Sequence, residues 1–321
     1  MTGCKTCGAA RNCPLEIQNP GVKESKVRGL DGILNVNKAA GMTSHDVVGV
    51  VRRFSHLTRV GHAGTLDPLA TGVLLVCLGS ATRVVEYLTD HDKKYRARIR
   101  FGIETDTYDS TGQVVEERPV TATREQIEVA LRGFVGQIAQ MPPAYSAIKQ
   151  KGIPLYKLAR QGIRVETPRR AIEIHSIELR EASLPDIEID IHCGKGTYIR
   201  SLAHDVGEAL SCGAHLTALT RTASGPFTLD ESHSLDELGV AFADHYAEKY
   251  LLPIDEALLQ FQAVVVGAAT AQGIQQGKAI VCGREYSTPL LRAYSASGDL
   301  IALLERGRAS DEWKPKKVFL I

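Results

Sequence analysis

One stretch of this 321-residue chain gathers groups able to do chemistry, Gly61-His62-Ala63-Gly64-Thr65-Leu66-Asp67-Pro68-Leu69-Ala70-Thr71-Gly72-Val73-Leu74. Three glycines and a proline make it a loop between a helix and a buried strand, a place that presents side chains to a ligand. What it offers a ligand is a carboxylate, Asp67, and an imidazole, His62. Pro68 biases the Asp67 backbone away from helix. Asp-Pro also starts turns routinely, and a loop histidine is commonly only a hydrogen-bonded one, so on spacing alone both readings stand open.

Two stretches could hold a polyanion. From Lys94 to Phe101, Lys94, Arg96, Arg98 and Arg100 alternate with Tyr95, Ala97, Ile99 and Phe101, which puts the cations on one strand face with no acid among them. Farther on, Lys149, Lys151, Lys157, Arg160, Arg164, Arg169 and Arg170 meet only Glu166. Such clusters suit a phosphate backbone, although a solvated face is the plainer reading. Cys4, Cys7 and Cys13 supply three thiols where a closed zinc site wants four ligands, so a tail with free thiols is expected there.

The elements that must position these groups can be read from periodicity. Gly32 to Asn37 reads as an alternating strand. Ser44 is the expected N-cap of a helix carrying Val47, Val48, Val51 and Phe54. Val73 to Leu78 is an apolar strand. Thr123 and Gln126 form a capping box for a helix with Ile127, Ala130, Leu131 and Phe134 on one face. Ile187, Ile189, Ile191 and Cys193 alternate with Glu188, Asp190 and His192 as a half-buried strand, after which Thr197 is placed to cap a helix bearing Ile199, Leu202, Ala203, Val206 and Leu210.

Strands and helices intermix without regular βαβ alternation, which predicts an α+β fold with a mixed or antiparallel sheet flanked by helices. Beyond Leu251-Leu252-Pro253 short apolar strands dominate, with one helix-like piece from Ala269 to Gln276 and a hairpin joining Leu290–Tyr294 to Leu300–Leu304. The expected division is a leader over 1–28, a main domain over 29–252 and a small β-rich module over 253–321.

Composition bounds the rest. The chain is 44% hydrophobic, 23% charged and only 6% aromatic, the profile of an ordinary globular protein of about two domains. It carries 38 basic and 37 acidic residues, a net charge of +1, so attraction to a polyanion has to be local. No apolar run approaches the ~20 residues of a membrane helix, and the first residues lack a signal peptide's apolar stretch. Seven cysteines, an odd number, fit a reducing compartment, and the expected location is the cytoplasm.

His62-x-Gly64-Thr65-Leu66-Asp67-Pro68-x-Ala70-x-Gly72-x-Leu74 resembles the signature loop of the TruB family of pseudouridine synthases. Further segments agree in order: Gly41-Met42-Thr43-Ser44 (with Ala39 where the family has proline), Lys93-Lys94-Tyr95, Gly196-Thr197-Tyr198-Ile199-Arg200-Ser201-Leu202 and Gly213 to Arg221. The resemblance covers residues 32 to about 255, and the terminal module looks like the PUA-type β-barrel often appended to the family. It implies isomerisation of uridine to pseudouridine in the T-loop of tRNA, at the position conventionally numbered 55, on a base flipped out of its stack.

Asp67 is then the nucleophile, and Arg200 is its partner that keeps the carboxylate ionised. Tyr95 stacks on the base and is a candidate for proton removal, Tyr198 and Leu219 complete the pocket wall, and His62 holds the flipped nucleotide or its displaced neighbour. Lys149, Lys151, Lys157 and Arg160 are the expected RNA-backbone contacts. The reaction breaks one N–C bond and makes one C–C bond, so no cofactor and no metal is implied. A monomer with no obligatory protein partner is expected. Two alternatives are a non-catalytic tRNA-binding or folding protein, against which the intact Asp67, Tyr95 and Arg200 speak, and a guide-RNA-dependent synthase subunit.

Overall fold

The structure, a computed structural model, describes residues 30–143, 145, 149–150, 153–154, 168–283, 285–309 and 311–319. The chain divides into two compact units, one over Ile33–Tyr250 and the other holding the residues from Leu251 onward.

The first unit is built on a mixed sheet of β1 (Gly32–Lys38), β2 (Val60–Ala63), β3 (Thr71–Leu78), β4 (Lys93–Phe101), β5 (Gly136–Gln140), β6 (Arg170–Ser183), β7 (Asp186–Cys193) and β8 (Ala214–Ser224). Their order is β1-β3-β8-β4-β7-β6-β5, with β2 paired to β3. The β8–β3 contact is parallel, and β8–β4, β4–β7, β7–β6 and β6–β5 are antiparallel, which is the mixed sheet expected. β3 is buried over seven consecutive residues, as a near-continuous apolar strand must be. β1 is likewise buried on both faces except at Asn37, so its expected alternation is not realised.

Helix Arg124–Arg132 starts at the Thr123–Gln126 capping box. Two other caps differ from expectation. Thr43, not Ser44, caps helix Ser44–Ser55, in a reciprocal box with Asp46 worth about 1 kcal/mol. Ser44 is buried instead, and its hydroxyl accepts from Leu66 N at 2.8 Å and donates to Leu66 O at 3.0 Å. Tyr198 stands at the N-cap of helix Ile199–Ala209 and makes no side-chain capping bond, while Thr197 turns back to donate to Gly194 O at 3.0 Å.

The cationic face of β4 also departs from expectation. Its neighbour β7 presents an acid opposite each arginine: Arg96 pairs with Asp190, Arg98 with Glu188 and Arg100 with Asp186. Arg96 and Arg100 reach their carboxylates bidentately, at 2.9 and 3.3 Å and at 3.0 and 2.7 Å. Those charges are neutralised across the sheet, so this face is no open phosphate-binding strip.

The second unit holds β9 (Gln262–Val266), β10 (Ile280–Val281), β11 (Leu290–Ser295), β12 (Leu300–Arg306) and β13 (Glu312–Val318) in the order β9-β11-β12-β13-β10, with a helix at Ala268–Gln275. β11 and β12 form the expected hairpin. Trp313, fully buried, anchors its core with Tyr286 edge-on at 5.8 Å. This curled sheet fits a PUA-like module. Lys316 in β13 is paired with Glu305 at 3.4 Å. No helix among the described residues is long and apolar enough to cross a membrane.

Candidate active site

The loop between β2 and β3 is shorter than its sequence suggested, because Gly61 to Ala63 belong to β2 and Thr71-Gly72 to β3. What remains, Gly64 to Ala70, is pinned on both sides of Asp67. Ser44 clamps Leu66, Gly41 N donates to Pro68 O at 2.8 Å, and Ala70 N closes a turn on Asp67 O at 3.0 Å. Lys38 Nζ, wholly buried, donates to Ala39 O, Met42 O and Pro68 O at 2.8, 2.7 and 3.4 Å. Burial lowers the Lys38 ammonium to about 8, against the pull of the Asp67 charge.

Arg221 fastens the same loop from behind. Buried in β8, it donates from Nε to Val73 O at 2.6 Å and from Nη2 to Gly64 O at 3.0 Å. The close approach requires glycine at 72: its φ is +94°, and a Cβ there would lie 2.3 Å from Arg221 O.

Asp67 meets Arg200 at the start of helix Ile199–Ala209, Nε to Oδ2 at 2.9 Å, an ion pair whose N–H is not aligned on the oxygen. The guanidinium also donates to Thr107 O at 3.2 Å, Tyr145 O at 3.0 Å and Asp109 Oδ2 at 3.4 Å. Asp109 is itself buried, and its Oδ1 accepts from Thr107 Oγ1, Thr111 N and Thr111 Oγ1 at 2.8, 3.0 and 2.6 Å. Arg200 is thus oriented before any ligand arrives. Burial raises the Asp67 carboxyl above its usual range and outweighs the downward pull of Arg200; Asp109 adds to the rise and Lys38 opposes it. Desolvation is the larger effect on this carboxyl, and Arg200 is the largest influence favouring its ionised form.

Tyr95 lies on the buried face of β4, and its hydroxyl is bonded by Arg221, directly opposite in the β8 register. Burial pushes the phenol up, while Arg221 draws it down and the nearby Asp67 charge pushes the same way as burial. Leu219 stands opposite Ala97 on the same sheet face as Tyr95 and Arg221, and is 7% exposed. Tyr198 is half-buried, its backbone held by the Gln140 amide through N to Oε1 at 2.8 Å and Nε2 to O at 3.0 Å.

His62 lies on β2 rather than in the loop, and its buried Nδ1 has no hydrogen-bond partner. The loop-stabilising bond considered for it is not made at that atom. Burial, then Arg221 and His45, lower its pKa, which keeps the ring neutral. Lys149 is in the short strand Lys149–Gln150; Lys151, Lys157 and Arg160 lie outside the described residues, as do Cys4, Cys7 and Cys13.

Asp67 and Arg200 are in contact, and Tyr95 reaches the same centre through Arg221. The sequence reading assigned nothing to Asp109, Arg221 or Lys38. Asp109 had a signal in the Thr107/Asp109/Thr111 spacing of a self-bonded turn. Arg221 and Lys38 had only their places at the ends of segments already singled out. The site offers a carboxylate of raised pKa, a fixed guanidinium in contact with it and a buried phenol on the neighbouring sheet, a set suited to covalent attack by the carboxylate on a neutral substrate.

Residues 52–199 match the TruB family pseudouridylate synthase (N terminal domain), and residues 200–259 match the tRNA pseudouridylate synthase B C-terminal domain. Among curated relatives, the tRNA pseudouridine synthase B of Clostridium perfringens (strain SM101 / Type A) is 42% identical over 86% of this chain and 95% of its own. That of Dehalococcoides mccartyi (strain ATCC BAA-2100 / JCM 16839 / KCTC 5957 / BAV1) is 43% identical over 91% and 97%, and that of Chromobacterium violaceum is 49% identical over 75% and 76%. Among solved structures, a chain of a Cbf5-Nop10-Gar1 complex is 28% identical, with a TM-score of 0.70 over 91% of this chain and 85% of that one.

Proposed function

The chain belongs to the TruB family of pseudouridylate synthases, and from that premise we propose that it acts on the T-loop uridine conventionally numbered 55, with Asp67 as nucleophile. The broader activity, isomerisation of uridine to pseudouridine in tRNA, follows from relatives of that name matching most of the chain at 40–49% identity. The observation that carries the finer reading is the Arg200–Asp67 contact at 2.9 Å in a loop pinned on every side.

The uridine leaves its stack and enters beside Tyr95, where stacking worth about 1–3 kcal/mol offsets much of the unstacking cost. Asp67, ionised, forms a covalent adduct as the N–C glycosidic bond breaks. The base rotates and a C–C bond forms as the bond to Asp67 breaks and frees the carboxylate, the proton leaving carbon being balanced by one gained at nitrogen. Arg200 holds the carboxylate in place, Leu219 and Tyr198 wall the cavity, and His62 contacts the extruded nucleotide as a neutral ring. The protein works as a monomer in the cytoplasm, and residues 253–321 act as an accessory RNA-contacting module. Higher identity to the named tRNA enzymes than to the Cbf5-complex chain supports action without a guide RNA.

Purified protein incubated with an unmodified tRNA transcript, with no metal or nucleotide added, is expected to convert one T-loop uridine. Modification mapped to another arm, or none, would refute the assignment. The stretch from Lys149 to Arg170 is the tRNA-contacting insert, and replacing Lys149, Lys151 and Lys157 with Ala is expected to flatten the plot of log affinity against log salt by about two to three units. An unchanged slope would remove those lysines from the interface.

A further inference from the structure

Away from the Asp67 centre, the turn entering β4 and the adjacent ends of β6 and β7 bring together Asp92, His175 and His192. The arrangement has a local cause. Between Ile174, opposite Cys193, and Ser176, opposite His192, the β6 register slips by one residue at His175. Such a bulge re-aims a side chain, and bulges gather beside functional sites. Here it sets the two imidazoles 4.6 Å apart, centroid to centroid. Asp92 Oδ2 lies 3.2 Å from His175 Nε2 and 3.8 Å from His192 Nε2, and the three donor atoms all fall within 4.8 Å of one another.

We propose that Asp92, His175 and His192 form an open, three-ligand site for a zinc-class divalent cation. Bonds of about 2.0–2.2 Å in a tetrahedron place neighbouring ligand atoms about 3.3–3.6 Å apart, close to the two short separations seen. The donor set of two imidazoles and one carboxylate is that of open zinc sites, in which a fourth position stays available. That position has room: Asp92 and His192, with His91 and Lys94, border a cavity of about 390 Å³.

The chemistry of the ligands agrees. Glu173 Oε1 lies 3.8 Å from His175 Nδ1, a carboxylate behind the ring of the kind that supports ligating histidines. Cys193 is no competitor, because it is buried.

A second His and carboxylate group, Glu104, His204 and Glu208, shows the contrast. There Arg118 Nη2 already bridges both carboxylates at 2.7 and 2.6 Å, so a cation is built in. Among the described residues no arginine is paired with the Asp92 group. A metal there would fasten the start of β4, three residues ahead of Tyr95, to two strands of the sheet.

The test uses the full chain carrying Cys4→Ser, Cys7→Ser and Cys13→Ser, so that the leader thiols cannot contribute. Zn²⁺ titrated in competition with a chromophoric chelator is expected to show one equivalent bound, and Co²⁺ in its place to give the intense visible bands of a four- or five-coordinate nitrogen–oxygen site. His175→Ala and His192→Ala should each weaken binding by about 10–100-fold or more and abolish the Co²⁺ bands. Their thermal midpoints without metal should match the parent's, and only the parent's should rise with Zn²⁺. Absence of Zn²⁺ uptake by the parent, or equal uptake by both variants, would overturn the site.

Discussion

Asp67→Asn is expected to bind unmodified tRNA with nearly the parent's affinity and to form pseudouridine slower by on the order of 10⁴-fold or more, the scale on which a lost nucleophile is felt. The amide is close in shape to the carboxylate, so the loop held by Ser44, Lys38 and Arg221 through backbone atoms alone keeps its form. Single-turnover conversion measured beside filter binding separates the two effects. A variant that remained active would remove Asp67 from the nucleophile's role, and a variant that failed to bind would make the residue an RNA contact. The parent's acid limb should fall above the pH of an ordinary aspartate, since burial raises this carboxyl and only its ionised form attacks.

Arg200→Gln should combine two losses. Its guanidinium and Asp109 are a buried pair, 6% and 5% exposed, and breaking such a pair costs about 3–5 kcal/mol. Asp109 keeps three donors from Thr107 and Thr111, which places the expected loss at the lower end of that range. Turnover should drop on the order of 10²–10³-fold, as when one preorganised charged contact is removed. The acid limb should also move to higher pH, because a downward pull on the Asp67 carboxyl is gone. Arg200→Lys separates charge from shape: it retains the cation but cannot span Asp67, Asp109 and two carbonyls at once, so it should recover the pH limb more than the rate. Unaltered turnover and an unaltered pH profile in Arg200→Gln would show that the 2.9 Å contact is irrelevant to the chemistry.

What could be read from sequence was what is local. The capping box at Thr123 is a three-residue spacing, and the helix is where that spacing puts it. Ser44 and Thr197 have the right type for a cap, but their hydroxyls are used elsewhere: tertiary structure sets Ser44 on Leu66, twenty-two residues away, and a local turn sets Thr197 on Gly194, three residues back. The charges of β4 looked unopposed because strand register is not written in either strand by itself. Asp186, Glu188 and Asp190 were visible as a polar face, but only pairing sets them against Arg100, Arg98 and Arg96. Asp109 escaped notice for a similar reason, since it matters only once Arg200 has crossed ninety-one residues of chain to reach it. Spacing left Asp67 open between a turn and a reactive carboxylate, and only the resemblance of its fourteen-residue loop to a family signature singled it out.

Arg221 directs its guanidinium at the Gly64 carbonyl of the Asp67 loop and the Val73 carbonyl of β3, so the protein itself fastens both ends of that loop. An enzyme arranged this way does not have to order its own reactive segment when RNA docks. The conformational entropy of that segment is lost once, during folding, and does not recur at each encounter. Contact energy with the nucleic acid is then free to deform the nucleic acid, and the protein acts as a rigid mould against which a folded RNA loop opens.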